Sequence, residues 1–118
     1  MTSRRAKRVG ELMREEISDL IQKSIRNPHL GFVTVMEVEL TNDLRKAKVF
    51  LSVYGEDKED SPTLKSIRKA SGFIRSQLAK RIRLHYFPEL EFLWDSSLEQ
   101  GEKISKLLEE ISDERKNI

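Results

Sequence analysis

Two stretches of alternating side chains, separated by only five residues, limit the folds open to this chain. Phe32 to Leu40 places Phe32, Thr34, Met36, Val38 and Leu40 on one side and Val33, Val35, Glu37 and Glu39 on the other. Lys46 to Tyr54 sets Ala47, Val49, Leu51 and Val53 against Lys48, Phe50, Ser52 and Tyr54. A period of two is the mark of a strand with distinct faces. The link opens with Thr41-Asn42-Asp43, a turn-forming step, and its shortness makes the pair an antiparallel hairpin. Each strand has one strongly apolar and one mixed face, so the sheet is expected to be covered by helices on one side.

The remaining periodicity supplies those helices. Val9, Leu12, Met13, Ile17, Leu20, Ile21 and Ile25 recur at helical spacing, with Thr2 or Ser3 as the cap and Asn27-Pro28 as the stop. Glu15, Glu16 and Asp19 fall on the wet face. Ser61-Pro62 reads as an N-cap followed by a proline in the first turn. Leu64, Ile67, Ser71, Ile74, Leu78 and Ile82 then keep one face inward to about Leu84. Gly72 interrupts this run at a cost of about 1 kcal/mol relative to alanine, which points to two helices meeting at a kink, the alternative being one straight helix with a tolerated glycine. Leu90, Phe92 and Trp94 alternate with Glu89, Glu91 and Leu93 as a third strand after Pro88. Beyond a polar connection, Ile104, Leu107, Leu108 and Ile111 outline a last amphipathic helix. The expectation is an α+β domain over residues 1–96, with a three-stranded sheet packed against helices in the order α-β-β-α-α-β. Residues 97–118 form a C-terminal helical extension.

The 118 residues carry a net charge of +2, but the charge is segregated. Seven Lys or Arg and no Asp or Glu lie between Ser61 and Pro88, and Arg4, Arg5, Lys7 and Arg8 precede Gly10 without an acid among them. All 20 acidic residues lie elsewhere, concentrated in Glu56-Asp57-Lys58-Glu59-Asp60 and after Glu89. A one-sided basic run is the footprint of a polyanion partner. The absence of cysteine excludes disulfides, thiolate zinc sites and cysteine nucleophiles, and fits a reducing compartment such as the cytoplasm. No run is apolar and long enough for a membrane span, and the basic start lacks the apolar stretch of a signal peptide.

Catalysis finds little support. His29 and His85 have no second ligand at metal-binding spacing, and Asp95-Ser96-Ser97 has neither a nearby histidine nor a nucleophile elbow. Turn and cap roles account for these residues, so no enzyme, metal or cofactor is expected.

The basic run carries more weight. Lys65, Arg68, Lys69, Gly72, Ser76 and Lys80 follow helical spacing on a face distinct from the apolar one, widened by Arg75, Arg81 and Arg83. No acid lies three or four positions away to compensate them, and phosphates are the natural counter-charge. Ala70-Ser71-Gly72 sits at the centre of the run. Small side chains at a helix junction allow a nucleic-acid backbone to come close, and a new helix N-terminus offers N–H groups to anions. This is the logic by which KH domains clamp single strands with a glycine-containing turn between helices. The aromatic residues are expected mainly in the core, which favours backbone and shape recognition over base reading.

Taken together these segments resemble the ribosome-binding factor A family of bacterial small-subunit assembly factors. The resemblance runs through Arg4-Arg5-Ala6-Lys7-Arg8-Val9, Glu15-Glu16-Ile17, Thr41-Asn42-Asp43, Ala70-Ser71-Gly72-Phe73-Ile74-Arg75, Leu78-Ala79-Lys80-Arg81-Ile82 and Pro88-Glu89-Leu90-Glu91-Phe92. Its most specific piece is Asp95-Ser96-Ser97 with Gly101, Lys103-Ile104 and Leu107-Leu108. The resemblance implies a type II KH-like domain in which Ala70-Ser71-Gly72 stands for the usual glycine loop. It implies a monomer that binds 16S rRNA within free, immature 30S subunits near the decoding centre. It further implies help with late maturation, including rRNA 5′-end processing, most needed in cold growth. The expected RNA contacts are Lys65, Arg68, Lys69, Arg75, Lys80, Arg81 and Arg83 around Ala70, Ser71 and Gly72, extended by Arg4, Arg5, Lys7 and Arg8. A protein–protein adaptor acting through the acidic loop and C-terminal helix is the alternative.

Overall fold

In the computed structural model, which describes residues 3–24, 32–97 and 107–111, the elements follow the expected order. These are α1 (Arg4–Ser24), β1 (Val33–Leu40), β2 (Lys46–Val53), α2 (Pro62–Lys69), α3 (Ser71–Arg81) and β3 (Glu89–Trp94). The strands form one sheet in the order β1-β2-β3, antiparallel between β1 and β2 and parallel between β2 and β3. The parallel pair requires a crossover, and α2 and α3 supply it. The result is the α+β, KH-like arrangement. Ile25, Asn27-Pro28, His29, Gly101 and Ile104 lie outside the described residues. Of the expected 97–118 extension, Ser97 and a helical, exposed stretch at 107–111 are described.

The helices cover one face of the sheet. Met13, Ile17 and Leu20 of α1, Val49 and Leu51 of β2, and Ile67, Ile74 and Leu78 of α2 and α3 are at most 1% exposed and form the centre of the core. Ala47, Val49, Leu51 and Val53 all point inward, as their alternation predicts. On β1 the phase is broken. Val35 pairs with Leu51 and Glu37 with Phe50, leaving Met36 as a bulge. An extra residue turns the strand over. Val35 is therefore buried before the bulge and Val38 and Leu40 after it, while Thr34 is exposed and Phe32 is 70% exposed. The single continuous face expected for β1 is corrected accordingly.

α1 begins as its sequence suggests, with the Ser3 hydroxyl accepting from the Ala6 N–H at 3.1 Å. The Ser3 N–H also donates to Asn42 Oδ1 at 3.0 Å, tying the start of α1 to the hairpin turn. In that turn the Leu44 N–H donates to the Thr41 carbonyl, and Leu44 has φ of 59°. A left-handed leucine is uncommon. Its burial in the core shows what holds it there.

Candidate nucleic-acid interface

The placement of the basic helices starts from a cap. The Ser61 hydroxyl accepts from the Leu64 N–H at 3.1 Å, and Pro62 occupies the first turn, as expected. Glu56 reinforces this start by accepting from the Ser61 hydroxyl at 2.8 Å, the Thr63 N–H at 3.0 Å and the Thr63 hydroxyl. One member of the acidic loop is thus a helix cap rather than a free surface charge. A carboxylate there also complements the helix dipole.

The break between α2 and α3 falls on Ala70, with φ −86° and ψ 5°, and Gly72 lies inside the first turn of α3. The Ala70 N–H is shared between the carbonyls of Ser66 and Ile67, a tightening common where helices end. The expectation that glycine itself makes the kink is corrected. A Cβ placed on Gly72 would meet no atom within 4 Å, and Gly72 lacks a positive φ. Nothing inside the protein requires glycine at this position. No side chain caps the start of α3, and Phe73, next in sequence, is 51% exposed. Small residues, an uncapped helix start and an exposed ring meet at one point of the surface.

The cations around this point divide into two groups. Arg68 donates through Nε to the Phe92 carbonyl at 3.0 Å. Arg75 donates to the carbonyls of Pro88 at 3.1 Å and Phe87 at 2.7 Å, and lies 5.7 Å from the centre of the Phe87 ring. Arg81 pairs with Asp19 and Glu16 across to α1. The compensating acids missing from the local sequence come, for this residue, from another helix, so Glu16 and Asp19 are not simply wet. Among the described residues, Lys65, Lys69, Lys80 and Arg83 are exposed and form no hydrogen bond or ion pair with other side chains. The same holds for Arg4, Arg5, Lys7 and Arg8 on α1.

A groove of about 290 Å³ runs beside the junction, between Arg68 and Ser71 on one wall and Leu90 to Leu93 of β3 on the other. Its β3 wall, half-buried at Leu90 and Leu93 with the exposed Glu91 between them, lies outside the basic run and so escapes a reading based on positive charge. The aromatic expectation also changes. Phe92 is the one buried aromatic among the described residues, whereas Tyr54, Phe73 and Tyr86 are 86%, 51% and 53% exposed. Strand alternation cannot mark Phe73 or Tyr86, which lie in a helix and a loop. His85 is exposed, and the Asp95 carboxylate accepts from the Ser97 N–H at 2.8 Å, as a turn residue would. Among the described residues no cluster of His, Cys, Asp or Glu could hold a metal ion, and no helix is long and apolar enough to cross a membrane.

A sheet half-covered by helices, with an exposed cationic helix junction at its side, describes a binding module of KH-like build. Comparison with known proteins gives the family. The sequence model of ribosome-binding factor A matches residues 5–108. A ribosome-binding factor A from Staphylococcus epidermidis is 49% identical over 94% of this chain and 96% of its own length. One from Halothermothrix orenii is 44% identical over 99% and 96%. The chain belongs to the ribosome-binding factor A family. Among solved structures, a putative ribosome binding factor A from Thermotoga maritima is similar at a TM-score of 0.66 and 32% identity, covering 78% of this chain and 88% of that one. The crystal structure of ribosome-binding factor A from Thermus thermophilus gives 0.65 and 25%, covering 75% and 93%. A homology model of the Thermus thermophilus protein, fitted into a cryo-EM map of its complex with the 30S subunit, gives 0.62 and 26%, covering 74% and 92%.

Proposed function

We propose that this protein is a non-enzymatic, monomeric, cytoplasmic assembly factor that binds 16S rRNA within free, immature 30S subunits. In this reading it assists late maturation, including processing of the rRNA 5′ end, and matters most in the cold, when misfolded RNA helices escape slowly. Family membership and the 30S complex of the Thermus thermophilus relative support the choice of partner. The observation that carries the reading is the α2–α3 junction. Lys65, Lys69 and Lys80 are exposed there without a carboxylate partner, around a glycine whose missing side chain serves no internal contact.

Lys65, Lys69, Lys80 and Arg83 act as the principal phosphate contacts, with Ala70, Ser71 and Gly72 allowing close approach and Arg4, Arg5, Lys7 and Arg8 extending the footprint. Arg68, Arg75 and Arg81 contribute through whatever donors their internal bonds leave. Residues 97–118 act as an appended segment outside the RNA-binding core of residues 1–96.

Sedimentation with purified small subunits, large subunits and whole ribosomes at increasing salt tests the proposal. Co-sedimentation with free small subunits, lost steeply as salt rises, is expected. Binding that ignores salt would remove the electrostatic account. The adaptor reading has one observation in its favour, the exposed Leu107, Leu108 and Ile111. Truncation after Ser97 that abolishes function while sparing rRNA binding would favour it.

A further inference from the structure

A cleft of about 390 Å³, separate from the α2–α3 junction, opens where the start of α1, the hairpin turn and the loop after α3 converge. Arg5, Asn42, Asp43, Arg45, His85 and Tyr86 line it. Its walls are fixed by backbone. Asn42 holds the Ser3 N–H, and the Glu89 N–H donates to the Arg45 carbonyl at 2.9 Å, so α1 and β3 are both pinned to the turn. Within it the Arg45 guanidinium lies 5.5 Å from the centre of the Tyr86 ring, which remains 53% exposed. No internal hydrogen bond or ion pair engages the side chain of Arg5 or Arg45 among the described residues.

We propose that this cleft is a second contact for single-stranded RNA, in which one unpaired base stacks on the Arg45–Tyr86 pair while phosphates face Arg5 and Arg45. This rests on the reading that the partner is RNA. Aromatic rings and guanidinium planes are the two side-chain surfaces on which unstacked bases settle, and here they occur together. An acidic peptide would use the guanidiniums and leave the ring unused; a nucleotide uses both. Asp43 is the one carboxylate in the lining. Its Oδ1 accepts from the Thr41 hydroxyl at 2.6 Å and from the Arg45 N–H at 3.1 Å, bonds that shape the turn, and the Arg45 charge attracts it at longer range than an ion pair. Arg5 and Arg45 share the lining with this single carboxylate, and Arg8 lies one turn beyond Arg5 on α1, outside the lining. The cleft brings the N-terminal basic cluster to the end of the second basic run, two segments that sequence leaves unconnected.

The test uses the full chain, a uridine tetranucleotide, a ribose-phosphate chain of the same length without bases, and UMP. The tetranucleotide is expected to shift the ring resonances of His85 and Tyr86 as well as the amides of Gly72 and Phe73. Tyr86→Leu should weaken the tetranucleotide about five-fold or more and leave the abasic chain unaffected, and Tyr86→Phe should restore the loss. Arg45→Gln should weaken both chains and lower the salt slope by about 0.7. Shifts confined to Gly72 and Phe73, with Tyr86→Leu and Arg45→Gln binding like the parent, overturn the cleft but not the α2–α3 reading. Shifts at neither place overturn both. UMP binding in the cleft as tightly as the tetranucleotide would make it a mononucleotide pocket and overturn the RNA assignment.

Discussion

Arg81 of α3 reaches α1, where its Nη1 lies 2.8 Å from Oδ2 of Asp19 and 3.2 Å from Oε2 of Glu16. This bridge joins the basic helices to the other side of the helical layer. The Asp19 carboxyl is held below its ordinary value, first by the hydrogen bond from Lys23 and then by that from Arg81. A carboxyl depressed in the folded state contributes stability above its unfolded pKa of about 3.9, and that contribution is lost as pH falls through the lower folded value. Asp19→Asn is therefore expected to unfold at lower urea than the parent at neutral pH, with the gap closing in acid. A gap that is unchanged at low pH would show that the bridge does not carry this dependence. All three partners are partly exposed, so added salt should narrow the gap as well.

Much of this architecture is legible because local period encodes it. The inward set Ala47, Val49, Leu51 and Val53, the Ser61 cap and the Leu64–Ile67–Ile74–Leu78 face follow directly from spacing. The Met36 bulge does not, since one inserted residue leaves a hydrophobic pattern that still looks alternating. Arg81 and Asp19 are 62 residues apart, so no local rule pairs them. Arg75 satisfies main-chain carbonyls, which have no sequence signature at all. A charge count locates the basic region, but only the fold separates the cations that hold it together from those left exposed.

Arg75 offers a direct check of that separation. Its guanidinium joins α3 to the carbonyls of Phe87 and Pro88 just before β3, and it stacks near the Phe87 ring. Arg75→Gln should destabilise the domain by about 1–2 kcal/mol, through lost charge-assisted bonds and carbonyls left without their donor. Arg75→Lys should recover little, because a point-like ammonium cannot bridge both carbonyls in the plane that a guanidinium fork does. Urea denaturation measures this. A fully stable Arg75→Gln that loses RNA binding would reassign the residue to phosphate contact.

Gly10 lies in the middle of α1, where alanine would ordinarily gain about 1 kcal/mol. A Cβ there would stand 2.6 Å from the Val38 carbonyl oxygen of β1. Backbone cannot yield as a flexible side chain can, so the helix would have to move off the sheet. Gly10→Ala is expected to destabilise by about 1–3 kcal/mol, the range for overpacked cores. A melting temperature at or above that of the parent would mean that α1 can slide on β1 without cost.

Gly72 is the opposite case. It too is helical, but a Cβ there meets nothing within 4 Å and no positive φ demands glycine. Gly72→Ala should therefore stabilise the fold by about 0.4–1 kcal/mol, mainly by narrowing the unfolded ensemble. If the glycine is kept for an approaching RNA backbone, the same methyl should weaken binding while it strengthens folding. Gly72→Glu, which adds bulk and negative charge, should weaken binding far more and still leave a folded domain. Denaturation and rRNA binding measured on both variants separate the two roles. Unfolding of Gly72→Glu would make the junction structural. Undiminished binding by both variants would remove close approach at Gly72 from the mechanism, leaving Lys65, Lys69 and Lys80 to act through charge alone.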